Sequence, residues 1–244
     1  MSLTFSLPAA LGVCLLLTQC APTGPATAPN PSAQAVNQLA IAGNACGPAA
    51  ALNALRFGAP AYQTAAKAIP GDGDRSQLRH IILKHGGTWS RHVPQRYRWS
   101  RRGINAADLA DLTNELIRTA KAPAVTLSIP NGTNAFEHSY NQLARSLRRG
   151  FPPIVGLRRY DGINAIDSHF ITILQVPDQL EKNAEAYAIR YIDPMGGRTY
   201  DGTIRVKRGN SHAQLIADTP RTSVGLSKAK SPSVLLMDAL IVAP

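Results

Sequence analysis

The sequence predicts an α+β domain. Helix signals fill its first half and strand signals its second, with no alternation of the two and no internal repeat. Runs of helices followed by runs of strands point to a largely antiparallel sheet, not to parallel βαβ units. With 244 residues, 44% of them hydrophobic, the chain is long enough to bury one full-sized core.

Taken in order, the chain opens on an apolar run from Leu3 to Leu17, too short for a membrane-spanning helix. It ends in Leu17-Thr18-Gln19-Cys20, which resembles a bacterial lipobox, with Cys20 as the lipidated residue. Residues 1–20 therefore read as a signal peptide with a lipobox-like end. Residues 21–35 are rich in Pro, Ala and Thr and carry no charge, as expected of a disordered tether. Residues 36–244 form the folded domain. This organisation implies export, either to the periplasmic face of a bacterial membrane through a lipid anchor or by secretion.

A helix starts around Cys46-Gly47-Pro48, where proline suits the first turn and Ala49, Ala50 and Ala51 have the highest helix propensity. Gly58-Ala59-Pro60 breaks it. Ser76 is positioned to cap a helix carrying Leu78, Ile81, Ile82 and Leu83. Asn105 opens another, with Leu109, Leu112, Leu116 and Ile117 at helical spacing. Asn134 opens a third, with Phe136, Tyr140, Leu143 and Leu147 on one face and Gly150 at its end. Beyond Gly150 the period changes. Residues 154–157, 170–176, 186–192, 204–207 and 234–242 read as strands.

The formal net charge is +11 and the pI near 10.0. Arg56 is the first charged residue, so this charge belongs to the mature domain. A basic surface suits anionic partners such as cell-wall polymers or lipid headgroups, and equally a plain solvated face. Arginines alternate with aromatic residues between Trp89 and Arg102, a pattern able to bind phosphates and stack bases. Nothing else resembles a nucleic-acid module, so nucleic acid is not an expected partner. The chain has no phosphate-binding Gly-x-x-x-x-Gly-Lys-Ser/Thr loop, no paired Cys motif and no His-Glu-x-x-His, so neither a cofactor nor a metal is expected.

Three cysteines are present, Cys14, Cys20 and Cys46, and only Cys46 falls within the folded domain. A lone thiol in an exported domain suggests chemistry. At a helix start, the free N–H groups and the positive end of the dipole favour an anionic sulfur, the setting of nucleophilic cysteines. Six histidines compete to be its base: His80, His85, His92, His138, His169 and His212. His169 opens an apolar strand, and Asp193 closes the next one. If the two strands pair as a hairpin, His169 and Asp193 meet at one edge of the sheet. An aspartate there can orient the imidazole and stabilise its cation. Should the strands not pair so, His138 and His212 remain as alternatives.

Asn44-Ala45-Cys46-Gly47-Pro48, Gly150-Phe151-Pro152-Pro153-Ile154-Val155-Gly156, His169-Phe170 and Asp193-Pro194, in this order, resemble the papain-like cysteine peptidases. Within these, the likeness is above all to the bacterial double-glycine (bacteriocin-leader) processing group. The resemblance covers about residues 36–200. It implies a helical half carrying the nucleophile, packed on an antiparallel sheet carrying the histidine and the acid. It further implies Cys46 as nucleophile, His169 as base and then acid, and Asp193 as the orienting group. Gln38 or Asn44, with the Cys46 N–H, would bind the oxyanion. The implied activity is hydrolysis of peptide bonds in a peptide or protein substrate through a thioester. Two other activities fit the same residues: a cell-wall peptide amidase or acyltransferase with this triad, and a non-catalytic binding protein on the same scaffold.

Overall fold

The computed structural model describes residues 24–161, 164–208, 213–219 and 234–244. Cys14, Cys20 and His212 lie outside these residues. In chain order the elements are β1 (Ala26–Thr27), α1 (Cys46–Phe57), α2 (Pro60–Ala68), α3 (Asp74–Ile81), β2 (Trp99–Ser100) and β3 (Gly103–Ile104). They continue with α4 (Ala106–Arg118), β4 (Thr126–Ser128), α5 (Ala135–Arg148), β5 (Ile154–Asp161), β6 (Asn164–Val176) and β7 (Ala186–Asp193). The last are β8 (Arg198–Arg208), β9 (Ala213–Asp218) and β10 (Val234–Val242).

These strands close on themselves. The order is β6-β5-β10-β9-β8-β7, and β7 pairs back on β6 through Thr172↔Ile192 and Ile173↔Tyr191. The result is a closed six-stranded antiparallel barrel, with β1 on β6 and β4 on β10 as two further strands. The expected α+β papain-like fold, a helical half packed on an antiparallel sheet, is therefore incorrect. The helices are five short rods around a barrel. Two features hid the closure. β9, which joins β8 to β10, is a short Ala-Gln-Leu-Ile-Ala-Asp segment with weak strand patterning. Closure itself depends on strand tilt and register, which alternation does not encode.

Alternation along the strands splits the core in two. Val155, Leu157, Ile171, Ile173, Leu240 and Val242 join a cluster with the apolar stripe of α5. Their neighbours Ile154, Phe170, Ile241 and Ala243 join a second cluster with α1 and α4. This is the period of two expected of strands buried on both faces. Helix α1 is buried on almost every side, as its alanines and leucines require. Its small side chains allow β6 close enough for Thr172 Oγ1 to donate to the Ala50 carbonyl at 3.0 Å.

The segment expected to be a free tether is, from Gly24 onward, part of the fold. Ala26 and Ala28 are buried, and the Ala28 N–H donates to Leu174 O at 2.7 Å. Asn30 donates from its backbone to Phe57 O and from its side chain to Arg56 O. Its uncharged Ala/Pro composition suits packing on a barrel edge as well as it suits solvent. Asn105 caps α4 as expected, accepting from the Asp108 N–H at 2.9 Å. Ser76 caps nothing, because α3 begins earlier, after Gly73.

Candidate active site

Helix α1 begins at Cys46 itself, and its N-cap, Ala45, offers no side chain to the first turn. The first backbone bond back to the cap is Ala49 N–H to Ala45 O. Pro48 has no N–H to give. The N–H groups of Cys46 and Gly47 thus have no acceptor within the helix, as at any helix start. Gly47 serves packing here, not a special backbone conformation. A Cβ at this position would lie 2.3 Å from Ile104 Cγ2. Gly47→Ala should therefore cost about 1–3 kcal/mol of stability through overpacking beside the thiol. Thermal denaturation measures this, and an unchanged melting temperature would show that Ile104 yields freely.

His169 lies inside β6, paired with Leu157 of β5 and three residues before the first β6–β7 pair, and Asp193 ends β7. Continued past Thr172↔Ile192, the hairpin register sets Asp193 diagonally across from His169, and His169 Nε2 lies 2.7 Å from Asp193 Oδ1. Both are buried, His169 at 4% exposure and Asp193 at 0%. The same Oδ1 also accepts the Met195 N–H at 2.8 Å, whereas Oδ2 is buried without a partner. Cys46 and His169 line the same cleft, and the sulfur acts on the ring electrostatically. Since Nε2 is engaged by Asp193, Nδ1 is the nitrogen left for Cys46. Cys46 is a free cysteine, 8% exposed.

Burial alone would lower the pKa of His169. The hydrogen bonds to Asp193 and Cys46, and the charges on both, outweigh it and raise the value from 6.5 to about 10. The ring then keeps its proton at neutral pH, beside the Cys46 sulfur, and a neighbouring imidazolium favours the reactive form of a thiol. Iodoacetamide should accordingly alkylate Cys46 rapidly well below about pH 8. A rate that climbs only with the ionisation of a free thiol, near about 8.5, would show that sulfur and ring share no proton.

Three links hold this arrangement together. Thr172 ties β6 to α1. Upstream of Cys46, the Gln38 N–H donates to Pro194 O at 2.9 Å, and the Gly196 N–H donates to Asn37 Oδ1 at 3.2 Å. The loop leading to Cys46 is thus clamped to the turn that follows Asp193. Sequence reasoning missed these links, because Thr172 and Asn37 carry no motif.

Gln38 and Asn44, both considered as oxyanion donors, differ in position. Gln38 is fully buried, does not line the cleft, and donates its side-chain amide to Gly43 O. It shapes the loop before Cys46. Asn44 does line the cleft, but its Nδ2 donates to Ser100 O at 3.1 Å. The backbone N–H groups at the start of α1 are better placed to meet an oxyanion at the sulfur.

Cys46 and His169 open into a cleft of about 290 Å³ whose walls include Asn44, Arg101, Arg102 and Met195. A second hollow of about 470 Å³ adjoins it, sharing Arg102, Ile104, Ser168, His169 and Phe170. Together they form one groove past the thiol. The other described histidines stay away from it. His85 pairs with Glu115, His92 with Asp111, and His138 is exposed on α5. Among the described residues, His92, Asp108 and Asp111 bring potential metal-ligand atoms within 4.8 Å of one another. Asp108 is already bonded by Ser90 and Asn105, and Arg98 lies 3.9 Å from Asp111, so this cluster is satisfied without a cation. No described helix is long and apolar enough to cross a membrane.

Protein-family models, curated proteins and solved structures give no match to this chain.

Proposed function

We propose that this protein is a cysteine hydrolase that cleaves peptide bonds through a thioester on Cys46. One observation carries the reading: a single imidazole bridges a free thiol and a buried carboxylate at the floor of an open groove. The sulfur attacks the carbonyl carbon, and the negative charge passes to the carbonyl oxygen, which faces the N–H groups at the start of α1. Collapse of this intermediate expels the amine, which takes the proton from His169 Nδ1. Water then attacks the thioester and gives a proton to the same nitrogen. The tetrahedral intermediate then expels the sulfur and releases the carboxylic acid, which keeps the second proton of the water, so the starting sulfur–imidazolium pair is restored. Asp193 holds the ring through Nε2 and balances its charge throughout.

The test is covalent. The purified protein is incubated with an acyl-type thiol probe and with peptide substrates, and the modified residue is mapped. Probe on Cys46 together with release of new amino termini supports the reading. Turnover confined to cell-wall peptide amides would redirect it to an amidase, and an unreactive Cys46 would overturn it. The reading includes export with a lipid anchor on Cys20, motivated by the apolar leader and the Leu17-Thr18-Gln19-Cys20 segment. Cys20→Ala should move the protein from the membrane fraction to the soluble or unprocessed one. A wild-type protein found soluble, with its N-terminus beyond Cys20, would remove the anchor and leave the hydrolase.

A further inference from the structure

The groove beside Cys46 has an uneven charge balance. Four arginines line it: Arg96, Arg101, Arg102 and Arg158. Two carboxylates line it with them, Asp167 and Asp238. Both are answered from β5. Arg158 Nε lies 2.8 Å from Asp238 Oδ2. Arg159 stands directly across the strand pair from Asp167 and interacts with it electrostatically. Among the described residues, Arg96, Arg101 and Arg102 make no ion pair. Arg96 spends one nitrogen on Gly103 O at 2.9 Å, and its buried Nε has no partner. Arg101 and Arg102 are exposed at the turn between β2 and β3, on the wall facing the thiol. Asp238 sits in the register shift of β10, between Met237 and Ala239, which turns its carboxylate toward the groove and Arg158.

From this imbalance we infer that Arg102 and Arg101, backed by Arg96, form an anion subsite that selects substrates carrying a carboxylate next to the bond attacked by Cys46. Arginine suits this role because its planar fork matches a carboxylate in two hydrogen bonds. A surplus of one sign of charge along a cleft also concentrates counter-charged ligands. The basic-aromatic stretch from Trp89 to Arg102 thereby acquires a substrate-binding use at its far end. The inference deepens the hydrolase reading and rests on it for the identity of the substrate.

Two measurements test it, one independent of turnover. The first compares alkylation of Cys46 by anionic iodoacetate and neutral iodoacetamide, in the wild type and in Arg101→Ala/Arg102→Ala. The subsite predicts that the iodoacetate-to-iodoacetamide rate ratio falls about tenfold in the double variant, and that wild-type iodoacetate labelling slows steeply with salt. The second compares kcat and KM for matched peptides differing only in Glu against Gln beside the scissile bond, and in a free against an amidated C-terminus. The wild type should favour the acid by about tenfold or more in kcat/KM, chiefly through KM, and Arg102→Glu should reverse the preference toward Lys peptides. The two peptide pairs tell a side-chain carboxylate from a terminal one. A ratio that falls while no peptide is cleaved upholds the subsite and sinks the hydrolase. Cleavage without acid preference, or an unchanged alkylation ratio, overturns the subsite and leaves the hydrolase standing.

Discussion

Cys46→Ala should abolish hydrolysis, lowering kcat by about 10⁴-fold or more, because the acyl chain is carried on this sulfur and no other thiol lines the groove. The variant should stay folded. It removes one sulfur from the α1 cluster and leaves the His169–Asp193 pair intact. His169 needs a more careful substitution. It is buried against a carboxylate that has only one other donor, the Met195 N–H. His169→Ala would strand that charge, and breaking a buried pair this way costs about 3–5 kcal/mol. His169→Gln keeps an amide near Asp193 and removes the proton shuttle. Its kcat should fall nearly as far as that of Cys46→Ala, and the double variant Cys46→Ala/His169→Gln should be no slower than Cys46→Ala alone. Full additivity of the two losses would mean that thiol and ring do not act as one unit. The same pair also predicts a pH signature in stability. A raised histidine pKa stabilises the fold fully below the unfolded value of 6.5, and the gain is lost as pH rises through about 10. The wild type should therefore lose melting temperature relative to His169→Gln across that window. Parallel curves would show that the imidazolium is absent.

The site was more legible in the sequence than the fold around it. Cys46 stood out because only a thiol at a helix start fitted the Ala-Cys-Gly-Pro-Ala pattern, and the β6–β7 hairpin was enough to bring His169 to Asp193. Both inferences are local: a helix start and one strand pair. Barrel closure is not local. It depends on β9 bridging β8 to β10 and on β7 returning to β6, and no single segment states either pairing. Residues Ala26 and Ala28 show the same limit. Small apolar residues among prolines serve equally in solvent or against β6, and only the barrel edge decides between them. The reason for Gly47 lies across the molecule, in Ile104. Gln38 is one of the two oxyanion donors, with Asn44, that the papain-like resemblance implies. Its amide turned inward to Gly43 is a tertiary fact that no spacing carries.

Asp193→Asn should be a graded loss, and the geometry explains why. Both donors to Asp193, His169 Nε2 and the Met195 N–H, converge on Oδ1, and Oδ2 has no partner. An asparagine with its carbonyl in the Oδ1 position keeps both hydrogen bonds and puts its NH₂ in the empty place. Orientation of the ring survives; the charge does not. A unit charge at about 4 Å and an effective dielectric of about 20 is worth on the order of 4 kcal/mol. Losing it should slow kcat by about 10²–10³-fold, less than the Cys46 substitution. It should also move the pH profile. In the wild type the basic limb of kcat/KM should follow loss of the His169 proton, whose pKa is raised to about 10. Without the carboxylate, burial is opposed only by the sulfur, so the limb should shift toward lower pH. Asp193→Ala, which removes the acceptor for both donors, should lose stability as well as rate. Measuring kcat/KM against pH for the wild type and Asp193→Asn separates these roles. If the basic limb stays in place while kcat falls, Asp193 acts by shape alone and the charge-balancing role assigned to it is wrong.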